Sequence, residues 1–595
     1  MAATEQLEAV HWDLADLVDG GGPENVDSLI DRALEKCRSF AERHRGALAT
    51  MDGAALEAAM RELGEIYDLV GRADSYASLD FSTDTADPAR GALVARVQER
   101  LTELSTTLLF FELEWAALDD DRVEELLAHE GLDFCRHHLR TARRYRSHLL
   151  SEPEERVMTE KSVSGGGAWT RLFAELSGAI EVSLGEETLT LDVALARLMA
   201  PARDVRRDAA AAVTAALQPG LRTRAFVFNT LLIDKSTDDR LRSYPHWLAA
   251  RNLANEASDE SVAALIAAVK GRYELARRWY RLKAKLLGLE RLADYDRMAP
   301  LATDDVEFGW AEAREMVLDA YGAFSPDLAG VAQRFFEQPW IDAPPSKGKR
   351  GGAFCAYTVP SVHPYVLLNF TNRRNDVLTL AHELGHGVHA ALAADQGVFH
   401  QSTPLTLAET ASVFGEALTF ARLLKASSTP AARLSLLAED IEGSIATVFR
   451  QVAMNQFEQL VHTERREQGE LSVERFGELW FQTQTELLGD SVEISDNYRS
   501  WWSYVPHFIN TPGYVYAYCY GQLLALSVYG RYLQEGPSFA SAYLQLLAAG
   551  GSRSPEELGA MVGIDLADPG FWDAGLDLIE QQLHAAEALA ARRSA

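Results

Sequence analysis

Apolar residues recur at three- and four-residue spacing through most of the chain, the pattern of helices that bury one face. It is clearest in "GALVARVQERLTELSTTLLFFELEWAAL" (91–118) and returns at 24–48, 54–78, 191–217, 258–288, 430–468 and 572–592. No fixed period runs through these segments, which argues against a solenoid. Two stretches break the rhythm. "AIEVSLGEETLTL" (179–191) alternates apolar and polar residues around Gly185 and predicts a short hairpin. "GAFCAYTVPSVHPYVLLNF" (352–370) is rich in β-branched and aromatic residues and is interrupted by Pro360 and Pro364, which predicts edge-type strands. Such strands form either a small structural sheet or a free edge on which an extended peptide can lie. The Pro/Gly/Lys loop before them, "DAPPSKGKRGG" (342–352), is expected to be mobile. The fold class is therefore mainly α with a small β-sheet. A chain of 595 residues exceeds one ordinary core. We expect an N-terminal helical domain over 1–190, ending in the hairpin, and a second helical domain over 191–595.

One predicted helix is chemically odd. "NDVLTLAHELGHGVHAALA" (375–393) carries His382, Glu383, His386 and His389, with Gly385 and Gly387 among them, where Leu and Ala would pack better. His382 and His386 are four apart and leave the same face, so both imidazoles can reach one metal ion at ~2.0–2.1 Å. Glu383 points slightly around the helix, where it can reach a water on that ion without binding the ion itself. The pattern is His-Glu-x-x-His, in which zinc lowers the pKa of a water from ~15.7 towards ~7 and the glutamate removes its proton. Asn375 or Asp376 is available as N-cap. A catalytic zinc usually has three protein ligands and one open position. Glu409, in "TLAETASVFGEALTF" on the next predicted helix, is the best candidate for the third. Glu416 shares its face and either hydrogen-bonds a ligand histidine or is an ordinary solvated or salt-bridged residue.

Charge and cysteines narrow the setting. A formal net charge of −30 argues against nucleic acid or anionic membrane as partners. Hydrophobic content of 47% and charged content of 24% are ordinary for a globular protein. The opening "MAATEQLEAVHWDLADLVDG" lacks the apolar core of a secretory signal, and no apolar run reaches the ~18–20 residues that span a bilayer. Cys37, Cys135, Cys355 and Cys519 are scattered without Cys-x-x-Cys, which suits inert thiols in a reducing cytoplasm. The basic islands "RHHLRTARRYR" (136–146) and "RRWYRLKAK" (277–285) read as solvated helix faces.

"HELGH" followed by "ETASVFGE" resembles the M3 family of zinc oligopeptidases, particularly its oligoendopeptidase F branch. "VHWDLADLV", "KRGGAFC", "HPYVLLNF" and "VPHFINTPGYVYAY" fall in the order that branch shows, so the resemblance covers nearly the whole chain. It implies an almost all-helical, two-lobed molecule with one zinc ion deep in a substrate channel. His382, His386 and Glu409 would be its ligands and Glu383 the general base. Gly385 is expected to face a close-packed helix, since each interior glycine costs about 1 kcal/mol relative to Ala. His389 reads as a core residue or a hydrogen-bond support for a ligand, because a fourth ligand would close the open site.

Water attack on a peptide carbonyl also needs a donor for the oxyanion, worth ~2.7–4 kcal/mol. "SWWSYVPHFINTPGYVYAYCYGQ" (500–522) offers His507 and four tyrosines, and following "TPG" it reads as helix. The resemblance assigns His507 and Tyr514 to substrate carbonyl and oxyanion. Gly513 leaves the register ambiguous, with Tyr516 and Tyr518 as alternatives, and core packing is expected to claim at least two of the four rings. The function this implies is zinc-dependent cleavage of internal bonds in short unstructured peptides. A helical zinc carboxypeptidase or dipeptidase, or a catalytically silent peptide binder on the same scaffold, are the alternatives.

Overall fold

Acidic and proline start signals open the first long helices. In the computed structural model, which describes residues 7–301 and 307–594, Asp52 caps Gly53–Thr83 through the Ala55 N–H, and Asp87 caps Pro88–Ala117 through the Ala89 N–H. With Pro23–His44 they bury Phe40, Ile66, Phe111 and Trp115. Helices account for 72% of the structure, and the few sheets are small, so the mainly α expectation holds.

Long apolar patterns conceal breaks. The 191–217 segment is Leu191–Ala196, a 3₁₀ turn at Arg197–Met199 and, after Pro201, Arg203–Leu217. The 258–288 segment stops at Gly271 and restarts at Tyr273. The 430–468 segment contains a π-helical turn at Ile445–Phe449 between Pro430–Ser444 and Arg450–Gln468.

By contacts the chain divides into two compact units, each assembled from three segments. The first comprises Met1–Arg146, Asp305–Ala426 and Val528–Asp565; the second comprises Ser147–Asp304, Ser427–Ser527 and Leu566–Ala595. Position 190 falls inside the second. There the predicted hairpin pairs Glu181–Leu184 with Glu187–Thr190 across Gly185, whose φ is +64°. Its Val182 enters a core with Val213, Phe228, Phe457, Trp480 and Phe508. Both islands differ from plain solvated faces. Arg143 donates to the carbonyls of Trp115 and Leu118 as well as to Asp120. Lys283 is fully buried, donating to the Arg297 carbonyl and Glu442.

In the first unit, Ile341–Asp342, Tyr365–Leu367 and Phe354–Ala356 form a three-stranded sheet in that spatial order. Tyr365–Leu367 is therefore central rather than an edge; Pro364 lies just outside it and removes no ladder bond. Phe354–Ala356 is an edge strand. The loop between them and Ile341–Asp342 is tied down rather than loose. Lys349 is buried and donates to the Asp342 carboxylate at 2.5 Å and the Pro344 carbonyl at 2.8 Å. Thr85 and Arg350 make backbone bonds to Gly348 and Ser82. Among the described residues no helix is long and apolar enough to cross a membrane.

Candidate active site

The helix holding the histidines spans Arg374–Leu392. Asn375 and Asp376 lie inside it rather than capping it. Asp376 instead reaches back to accept from the N–H groups of Thr371 and Arg373, at 2.7 and 3.0 Å. Val377, Leu380, Ala381, Leu384 and Val388 are buried along the helix.

The glycines explain how a second helix reaches the metal-ligand face. A Cβ at Gly385 would stand 2.5 Å from the Ala411 carbonyl oxygen and 2.6 Å from Ser412 Cα, both on the helix Leu405–Ala426. A Cβ at Gly387 would meet the Phe335 ring at 2.6 Å. Backbone-to-backbone approach is thus available only to glycine at 385, and it brings Glu409 against the histidines.

His382 Nε2 lies 3.3 Å and His386 Nε2 3.6 Å from one oxygen of Glu409. One ligand atom from each of these three residues lies within 4.8 Å of the others, the one such group of His, Cys, Asp or Glu among the described residues. Donors on a tetrahedral zinc at ~2.0–2.1 Å stand about 3.3–3.4 Å apart, so this set fits that ion in spacing and chemistry. Glu416 meets His382 Nδ1 at 3.1 Å, leaving Nε2 to face the metal position. Ser412 Oγ donates to Glu409 at 2.7 Å. His389 lies outside the group; it is buried, its Nδ1 has no hydrogen-bond partner among the described residues, and burial lowers its pKa to about 3.

Electrostatics sort the ionisable groups. Burial opposes charge on Glu409, but hydrogen bonds from His382 and Ser412 and the nearby imidazoles hold its pKa at about 2. Burial would lower His382, yet Glu409 and Glu416 keep it well above the ordinary histidine range. Burial takes His386 down to about 4. Metal binding would displace the proton that His382 otherwise keeps. Glu383 is pushed up to about 7, chiefly by burial and also by Glu409, although the Cys355 backbone N–H bonds to it. A cavity of about 440 Å³ opens over these groups, lined also by Cys355 and Tyr357. Neither residue is marked by the sequence pattern. Each arrives from the strand and turn that pack on the helix.

Helix Tyr516–Glu535 begins after Gly513, whose φ is +74°. Tyr516 and Tyr520 are buried: Tyr516 Oη accepts from Asn255 at 2.9 Å, and the Tyr520 ring packs on Trp572. Tyr516 is therefore a core residue, not an alternative donor. Tyr514 and Tyr518 are half-buried on the side of His507. His507 Nε2 lies 3.2 Å from Tyr518 Oη, and its ring is 6.4 Å from Tyr514 and nearly parallel to it.

The sequence profile of peptidase family M3 matches residues 326–578, and that of oligopeptidase F matches 114–181. Oligopeptidase PepF of Bacillus subtilis is 27% identical over 92% of this chain and 82% of its own length. Group B oligopeptidase PepB of Streptococcus agalactiae is 27% identical over 87% of each chain. The crystal structure of oligoendopeptidase-F from Enterococcus faecium shares the fold, with a TM-score of 0.72 at 23% identity, over 96% of this chain and 99% of that one. The chain belongs to peptidase family M3, in its oligoendopeptidase F branch. It is a metalloendopeptidase.

Proposed function

We propose that this chain is a zinc endopeptidase of short unstructured peptides, with His382, His386 and Glu409 holding one zinc ion and Glu383 as general base. The observation that carries the reading is the convergence of two imidazole nitrogens on one carboxylate oxygen, at 3.3 and 3.6 Å. When bound, zinc supplies Lewis acidity, polarising a carbonyl and acidifying water. Glu383, with a pKa near 7, is suited to take a proton from the attacking water and pass it to the leaving amine. No covalent intermediate is needed. Glu416 fixes the His382 ring, and Ser412 fixes the Glu409 carboxylate. His507 binds a substrate carbonyl and Tyr514 donates to the oxyanion, with Tyr518 beside them as the alternative donor.

The edge strand Phe354–Ala356, whose Cys355 and Tyr357 surroundings line the cavity, suits an extended peptide added alongside. The net charge of −30 disfavours polyanionic partners. Four free cysteines suit the reducing cytoplasm. The test is metal analysis together with Glu383→Gln. The variant is expected to keep zinc and lose hydrolysis, and full retained activity would refute the assigned base. Cleavage of a peptide blocked at both ends separates internal from terminal hydrolysis.

A further inference from the structure

A second cavity, of about 420 Å³, lies in the second unit with His507 in its wall. Its lining is largely apolar and aromatic, including Leu198, Met298, Met454 and Trp501, and it also contains Arg450. The size is that of a small-ligand site, and an apolar wall with a few polar groups is the usual build of one.

The charged groups around the cavity have different commitments. Asp294 is buried and accepts from the Ser495 N–H and hydroxyl at 2.8 and 2.7 Å. Arg297 donates to Tyr498 Oη at 2.7 Å and to the Asp294 carbonyl at 3.1 Å. Asp192 is exposed in the first turn of Leu191–Ala196. Arg450 is exposed, and its guanidinium has no ion pair or hydrogen bond among the described residues. A guanidinium left open in an aromatic-walled cavity, on a chain of net charge −30, is a localised anion reader.

The backbone at this point is also unusual. The π-helical turn Ile445–Phe449 ends immediately before Arg450. Such turns insert an extra residue into a helix and are frequent at functional sites. Here the turn resets the helical phase just where Arg450, Gln451 and Met454 join the lining.

We infer that this cavity is a substrate subsite in which Arg450 binds a carboxylate of the peptide, while the apolar wall takes the stem that carries it. The carboxylate is either an acidic side chain or the peptide's own C-terminus. The inference deepens the reading of His507 as a substrate-binding residue and rests on it. Arg450 is a specificity-determining residue rather than a member of the proton-transfer machinery. Its fork of N–H donors matches a carboxylate in two parallel bonds.

The test uses the full zinc-loaded chain and a blocked peptide series in which Glu replaces Gln at successive positions. The same peptides are also made as free acids and as C-terminal amides. Wild-type protein is expected to prefer one carboxylate-bearing form over its neutral counterpart by about 10- to 100-fold in kcat/KM. The Glu scan and the acid/amide pair identify which carboxylate is read. Arg450→Met should collapse that preference towards unity, and Arg450→Lys should restore part of it. The side chain is exposed, so both variants are expected to fold.

Peptide binding to Glu383→Gln protein, with and without Arg450→Met, gives the same comparison without turnover. An Arg450-dependent preference in binding with no hydrolysis by the wild type would sink the proposed function and leave the subsite standing. Ordinary hydrolysis with no charge preference, or a preference that survives Arg450→Met, would overturn the subsite alone.

Discussion

Helices Arg374–Leu392 and Arg450–Gln468 both bury ionisable side chains, and they do so in opposite ways. At the first, His382 and Glu409 of the adjoining helix Leu405–Ala426 support one another: the imidazole is held well above its usual pKa and the carboxyl at about 2. On the second, Glu458 is pushed up to about 8 and His462 far down, both mainly by burial. Glu458 accepts one bond, from the Gly513 N–H at 2.8 Å, while its other oxygen and both His462 nitrogens have no hydrogen-bond partner among the described residues. His462 lies flat on Trp247, with ring centroids 4.6 Å apart. Buried charge survives where groups of opposite sign converge, and such a group can accept a metal. Where nothing converges, the groups are neutral and belong to the core.

The largest expected effect is on chemistry at the first helix. Glu383→Gln should lower kcat by about 10²–10⁴-fold while zinc content stays near one per chain. A pre-steady-state assay paired with metal analysis reads both.

The second helix should instead show a proton-linked stability term. Folded Glu458 keeps a proton that the unfolded chain releases above about 4.5, so stability falls as pH rises from there to about 8. The slope is at most about 1.4 kcal/mol per pH unit for one group. Denaturant titrations of Glu458→Gln should therefore show a gain over wild type at pH 8 that shrinks towards pH 4. A gain equal at both ends would mean that Glu458 is charged when folded.

Glu416→Gln sharpens the first helix further. It keeps the shape but removes the charge behind His382, and zinc affinity should weaken by about 10- to 100-fold in competition with a chelator. The smallest expected effect concerns packing. Gly385→Ala drives a Cβ towards the Ala411 carbonyl and should cost about 1–3 kcal/mol in thermal or denaturant unfolding. Gly443→Ala, with nothing among the described residues within 4 Å of the new Cβ, should gain up to about 1 kcal/mol.

Legibility from sequence follows the range of the interaction. His382, Glu383 and His386 are separated by fixed helical spacing, so their shared face is readable without a structure. Glu409 is readable because a second apolar pattern places it on the adjoining helix. Ser412, Cys355 and Tyr357 are not, because they reach the site through packing between segments. The tyrosine register turned on where a helix begins, which Gly513 fixes with a positive φ; this is why Tyr516 faces the core and Tyr514 and Tyr518 face His507. Apolar periodicity likewise ran through Pro201, Gly271 and the π turn at 445–449 without registering any of them. The break before Arg450 was therefore invisible, although Arg450 itself lines the second cavity.

The proposed chemistry depends most on the metal position between helices Arg374–Leu392 and Leu405–Ala426. Anomalous diffraction at the zinc edge from crystals of the purified protein tests it directly. The predicted result is a single strong peak about 2.0–2.2 Å from His382 Nε2, His386 Nε2 and a Glu409 oxygen. A peak elsewhere, or density showing these three side chains turned away from one another in zinc-saturated protein, would contradict it.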